Sequence, residues 1–312
     1  MKKLLVISLV FTSLIIQAQD SIQTQKLEEV VLNAGRIALP LSENSRTIQI
    51  VSQADIKQST ATNLAELLLS VAGVDVRRRG AGGQQADLYI RGGSFDQTLL
   101  LIDGIKAEDP QTGHHTLNIA LPLELIERIE IVKGPAARIF GANAFTGAIN
   151  IVTKKDLDAK SMLSVASGSF QQTQAGLSLQ LEQDNSRQIF HLSRNTSQGY
   201  RYNTDFKNLN LFTKASFNTQ GQPIDFMATF IDRDFGANGF YATPSATDQY
   251  EATQASLVSL QREIGFIRPA CFGSETRMNT FISETIQECI ETFIFPIKWE
   301  LPLWPATVLA GV

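Results

Sequence analysis

Three consecutive arginines, Arg77, Arg78 and Arg79, open a glycine-rich stretch that runs to Gln84 and Gln85. Guanidinium groups at that density can attract an anion, or pair with carboxylates elsewhere, and the sequence leaves both open. His114 and His115 stand side by side, with Asp109 just upstream. Adjacent imidazoles on a loop can ligate a metal, but no third ligand stands at a telling spacing, so no metal site is expected. Lys133-Gly134-Pro135 resembles a phosphate loop only in outline, because no lysine with serine or threonine follows to complete it. No nucleophile–base pair emerges either, so the expectation is no catalytic residue, no cofactor and no enzyme.

The elements that would position these residues begin after a leader. Lys2 and Lys3 precede a mostly apolar run from Leu4 to Ile16, and Ala18 supplies a small residue near a cleavage point. That pattern predicts a secretory signal peptide over residues 1–19, too short to be a span. The remaining chain has no window apolar enough for a transmembrane helix, so membrane residence would require β-strands. With 312 residues, 43% hydrophobic and 19% charged at a net charge of −4, the chain reads as folded and slightly acidic, with no polycation for nucleic acid.

Residues 20–44 are polar and loop-like around one acidic then β-branched patch, Leu27-Glu28-Glu29-Val30-Val31-Leu32. From there a compact α+β domain is predicted over residues 45–155. Thr47–Val51 alternates like a strand. Ser52 and Thr62 are placed to cap two helices, the second with an apolar stripe at Leu64, Leu67, Leu68 and Val71 that ends at Gly73. Short strands follow at Val74–Val76, Leu88–Arg91 and Thr98–Ile102. Arg77 to Gln85 is expected as a loop, and Asp103-Gly104 as a tight turn. A helical turn at Pro122–Ile126 leads to strands at Ile129–Val132 and Ala148–Val152.

After Lys155 the texture becomes hairpins. In Thr173–Leu181, Ala175, Leu177, Leu179 and Leu181 share one face, and Gln174, Gly176, Ser178 and Gln180 the other. Further runs at Ser161–Ala166, Ile189–Ser193, Leu209–Phe217 and Ile224–Ile231 alternate similarly. A short turn at Asp184–Arg187 contrasts with long polar loops at Thr196–Lys207 and Asp232–Gln249. Alternation fits a transmembrane barrel, and equally a soluble sandwich; loop asymmetry and the leader favour the barrel.

At this point three ordered motifs resemble the plug of the TonB-dependent outer-membrane receptors, within Ser45 to Lys155. They are the Leu64–Val76 helix and strand, "LYIRGGSFDQTLLLIDGI" at Leu88–Ile105, and "LIERIEIVKGPAARIFGANAFTGAINIVTK" at Leu125–Lys154. Leu27 to Leu32 resembles the TonB box, where an extended strand adds to the partner's sheet edge. The flavour is that of the vitamin B12 and iron-siderophore receptors.

The resemblance implies an outer-membrane receptor embedded in lipid, with TonB as energy-transducing partner and a scarce nutrient such as a metal chelate, siderophore or cobalamin, as cargo. Ligand contacts would fall at the plug apices: Arg77, Arg78, Arg79, Gln84, Gln85, Ser94, Phe95, Asp96, Asp109, His114 and His115. Arg91, Arg128 and Arg138 would form plug–barrel or internal ion pairs. The alternative is a non-transport surface protein that reuses a plug-like domain.

Residues 156–265 are read as the first five or six strands of a barrel, whereas a family barrel has about 22. Residues 266–312 do not fit: Pro269, Pro296, Pro302 and Pro305 would interrupt strands, and alternation stops. The tail is read as out of frame, with a genuine novel tail as the alternative. Shifted back one base, Glu275–Ile282 is compatible with a polar turn entering an alternating aromatic strand.

Overall fold

The computed structural model describes residues 48–262 apart from 81, 83, 109–112, 118, 136–139, 220–221, 241–244 and 246, together with residues 31–32, 39–40 and 270–275. The expected signal peptide, Leu27 to Val30, Asp109 and Arg138 lie outside the described residues.

Strand β1 (Val31–Leu32) pairs antiparallel with β2 (Leu39–Pro40), Val31 opposite Pro40. The α+β domain follows with β3 (Ile48–Val51), helices α1 (Gln53–Gln58) and α2 (Leu64–Leu69), and a hairpin of β4 (Val74–Arg79) and β5 (Gln85–Ile90). It continues with β6 (Thr98–Ile102), β7 (Ile105–Lys106), β8 (Ile126–Lys133) and β9 (Gly147–Thr153). Its main sheet has the order β3-β8-β9-β6-β7, with only the β6–β9 pair parallel.

Local chemistry accounts for these elements. Ser52 forms a capping box with Asp55, whose carboxyl is held below its ordinary value by the Ser52 side chain and backbone. α2 is capped by Asn63 rather than Thr62, because the Asn63 side chain reaches the Glu66 amide while Thr62 bonds the Glu66 carboxylate from outside. Leu67 and Leu68 of its stripe are fully enclosed, each worth about 2 kcal/mol of burial. Both β6 and β9 are buried on both faces, which is why they read as unbroken apolar runs instead of alternating ones. Asp103 and Gly104 both take positive φ (50° and 84°), the signature of the tight turn that links β6 to β7.

Arg77, Arg78, Arg79 and Gln85 belong to strands and not to the expected loop. Ladder pairing of Arg77 with Asp87 and of Arg79 with Gln85 extends the hairpin past the apolar residues that marked it in the sequence.

The second part is one antiparallel meander. Its strands are β10 (Ser161–Ser167), β11 (Thr173–Gln183), β12 (Ser186–Ser197), β13 (Phe206–Thr219), β14 (Gln222–Gly236), β15 (Tyr250–Arg262) and β16 (Ala270–Glu275). Six of these strands lie within residues 156–265, and a seventh, β16, lies beyond position 265, where pairing with β15 is made by main chain regardless of side-chain pattern. Among the described residues the sheet is open, not a closed barrel. No described helix is long and apolar enough to cross a membrane, which says nothing of strands.

The alternation is realised as expected. Leu163, Val165, Leu177, Leu179, Phe190, Leu192 and Leu211 are exposed on the outer face. Ser178, His191, Phe212, Lys214 and Met227 are buried, and Ile189, Phe212, Met227 and Leu257 join the hydrophobic core of the α+β domain. The sheet therefore packs its inner face on that domain and leaves an apolar face bare.

Candidate plug–wall site

The end of the sheet with the long connections, 198–205 and 237–249, gathers one set of contacts. Asn208 Nδ2 on β13 donates to the Gly82 carbonyl at 3.3 Å, and Arg233 Nη1 on β14 donates to the Gln84 carbonyl at 3.4 Å. These hold the tip of the β4–β5 hairpin against the wall. The Phe206 ring packs so closely on Gly82 that a Cβ there would lie 2.7 Å from it, and φ at Gly82 is +71°. Gln84 and Gln85 are enclosed by this packing, and no described residue bonds the Gln84 carboxamide.

Beside the tip, Phe95, His114 and Tyr89 form a small aromatic group. Phe95 and His114 are stacked with centroids 4.4 Å apart, and Tyr89 meets Phe95 edge-on at 6.2 Å. His114 Nδ1 lies 2.7 Å from Asp87 Oδ1, and His115 Nε2 lies 3.0 Å from Glu251 Oε1 on β15. Ser94 precedes the 3-10 turn 95–97 and its amide donates to Gln97 Oε1 at 3.3 Å. Asp96 is exposed and close to Gly113. Among the described residues no group of three or more His, Cys, Asp or Glu is placed to hold a metal ion.

The arginine run is divided by its strand. Arg77 stacks over the Tyr89 ring at 4.4 Å and pairs with Asp75 at 3.1 Å, and that carboxylate raises its already high pKa. Arg78 pairs with Glu66 at 2.7 Å. Burial alone would raise Glu66, but its bonds from Thr62 and Arg78 outweigh that and hold the carboxyl below its ordinary value. Both arginines thus pair with carboxylates of their own domain rather than of the wall, and Arg79 is exposed.

Of the expected ion-pair arginines, Arg128 lies inside the domain, with Glu127 at 2.6 Å and Glu130 at 2.9 Å. Arg91 is exposed with φ +51° and pairs with no carboxylate among the described residues. It stands near Lys133, whose pKa is depressed by burial and then by Arg91, and whose ammonium is held by Gln49 and the Ala72 carbonyl.

A polar cleft of about 90 Å³ separates the N-terminus of α2 and the 117–124 segment from Asn195, Asn208, Asn210 and Arg233 of the sheet. The wall residues Asn208, Lys214, Arg233, Glu251 and Gln261 were not anticipated. Their signal was a polar side chain at an inward position of an alternating strand, most plainly Lys214 two positions from the core residue Phe212.

A plug seated on the inner face of an antiparallel sheet, with the outer face apolar, defines a class of outer-membrane receptor fold. Residues 40–148 match the family model "TonB-dependent Receptor Plug Domain". Residues 40–148 are thus a TonB-dependent receptor plug domain, and antiparallel strands follow it, as the motifs had indicated. It is 39% identical over 132 residues to the vitamin B12 transporter BtuB of Vibrio cholerae serotype O1, covering 42% of this chain and 21% of that protein. The vitamin B12 transporter BtuB of Vibrio vulnificus is 32% identical over 157 residues, covering 50% and 26%. The chain therefore spans about a quarter or less of the length of these curated relatives. In fold it is similar to the siderophore receptor PiuA from Acinetobacter baumannii, with a TM-score of 0.61 at 17% identity over 80% of this chain and 38% of that one. The receptor in the FpvAI–pyocin S2 complex gives 0.62 at 15% identity over 78% and 35%.

Proposed function

We propose that the chain belongs to an outer-membrane receptor for energised import of a scarce nutrient, a siderophore or cobalamin, with TonB as partner and Leu27 to Leu32 as the contact segment. The observation that carries this reading is the plug on the inner face of a sheet whose outer face is exposed and apolar. An apolar outer face of this kind is what lipid would cover in a barrel, and a plug in its lumen must be moved before a solute can pass. The relatives named for vitamin B12 and for siderophores supply the substrate class. Export by residues 1–19, and ligand contact at Arg79, Asp96 and the Phe95–His114 group, are parts of the same proposal. The strand pairing of Val31 and Leu32 supports the contact segment, since a main-chain ladder is what a partner sheet edge would extend.

Among the described residues the seven strands form an open sheet, and the stretch after 265 is read as out of frame. The test is uptake: the plug is placed on a barrel of family length, read from the gene in the shifted frame, in cells lacking other receptors. Uptake of cobalamin or a ferric siderophore that requires TonB is the expected result. An early stop codon in the shifted frame removes the frame proposal, and binding of neither solute removes the substrate class.

A further inference from the structure

At the opposite end of the sheet from the hairpin tip, a second set of contacts has a different chemistry. Lys214 lies near the short Thr219–Gln222 connection, and Gln261 sits one residue from the end of β15. Lys214 Nζ donates to Asp103 Oδ2 at 2.9 Å and to Thr153 Oγ1 at 2.6 Å. Thr153 closes the triangle, donating from its amide to Asp103 Oδ1 at 2.8 Å and from its hydroxyl to Oδ2 at 2.6 Å. Gln261 Nε2 donates to the Asp103 carbonyl at 3.0 Å. Lys214 is nearly enclosed, at 8% side-chain exposure, so this is not a solvated surface pair.

The triangle continues into the plug. The amide of Gly104 donates to Asn150 Oδ1 at 2.9 Å, Asn150 Nδ2 to the buried Glu130 at 3.1 Å, and Arg128 Nε to Glu130 at 3.0 Å. The Lys214–Asp103 cluster on the wall and the Arg128–Glu130 cluster in the plug sheet are thus linked through the Asp103–Gly104 peptide and the neutral Gly104–Asn150 bond. Thr153 is also the last residue of the last plug strand, next to the covalent link into β10.

We propose that Lys214 is a latch: its ammonium, held by Asp103 and Thr153, keeps the β6–β7 turn and the end of β9 seated on the wall, and its release is the step that frees this end of the plug. The tip contacts at the other end, from Asn208 and Arg233 to backbone carbonyls and from His115 to Glu251, share no residue with this cluster. Seating does not depend on the import reading; only the purpose of release rests on it.

The test is hydrogen exchange of the chain in detergent micelles, without ligand or TonB. Lys214→Met should speed exchange of the Gly104 and Thr153 amides at least tenfold, while the β4–β5 hairpin keeps its wild-type rate. Lys214→Arg, which retains the charge, should restore protection to within a few-fold. Unchanged exchange at Gly104 and Thr153 in Lys214→Met would overturn the latch, and so would equal loss of protection throughout the plug with no rescue by arginine. Failed nutrient uptake alongside the expected exchange pattern would count against the import reading alone.

Discussion

Glu130 has no exposed side-chain surface, yet it carries a charge. It is tolerated because Arg128 and Asn150 bring donors to both of its oxygens at 2.9 to 3.1 Å. Removing Glu130 takes one of two carboxylates from the nearly enclosed Arg128 and the acceptor from the buried Asn150 amide. Glu130→Ala should therefore destabilise the plug by about 3 kcal/mol, read as a lower urea midpoint. An unchanged midpoint would mean that solvent reaches Arg128. The same side chain shows how far a single position can be read: Glu130 stood in a recognisable motif, but its burial did not, because a glutamate in a strand is usually on the solvent face.

At the scale of elements, the plug sheet depends on one close approach. Gly147 begins β9 beneath β8, and a Cβ there would lie 2.5 Å from the Val132 carbonyl and 2.8 Å from Ile90 Cδ1. Backbone oxygen cannot move away as a flexible side chain can. Gly147→Ala should weaken the β8–β9 pairing and lower the thermal midpoint by several degrees, measured by circular dichroism. Gly104→Ala is a useful contrast, since nothing stands within 4 Å of its Cβ and only its positive φ is at stake. The elements themselves were largely legible. The α2 stripe, the Asp103-Gly104 turn and the alternation of β11 follow from local periodicity and turn chemistry. The extents of β4 and β5 were not, because Arg77, Arg78 and Arg79 are held in a ladder by partners across the hairpin and not by their own preference.

At the scale of the molecule, the two faces of the sheet differ in kind. Leu177 is outward and exposed, whereas Ser178, its neighbour, is buried. If lipid covers the outer face, a charge near the middle of β11 costs about 2 to 4 kcal/mol. Leu177→Arg should reduce the fraction of a barrel of family length recovered in the outer membrane, and Leu177→Phe should not. Equal recovery of the two would place this face against protein or water instead. Such a sheet keeps its register because a one-residue slip would turn Leu177, Leu179 and Leu181 inward and Ser178 and Gln180 outward.

The sequence by itself determined the domain order, the plug motifs and which side chains of each hairpin share a face. These are properties of spacing along one segment, and the pleat and the helical turn convert spacing into direction. Only the tertiary structure decided that Gln84 and Gln85 are enclosed, that Arg77 and Arg78 pair within the plug, and that Lys214 meets Asp103. Lys214 and Asp103 are 111 positions apart, and Gln261 and Asp103 158. No local pattern links residues at that separation. Their meeting is set by the packing of the plug on the wall, and by the need of each buried charge or amide for a partner once water is excluded.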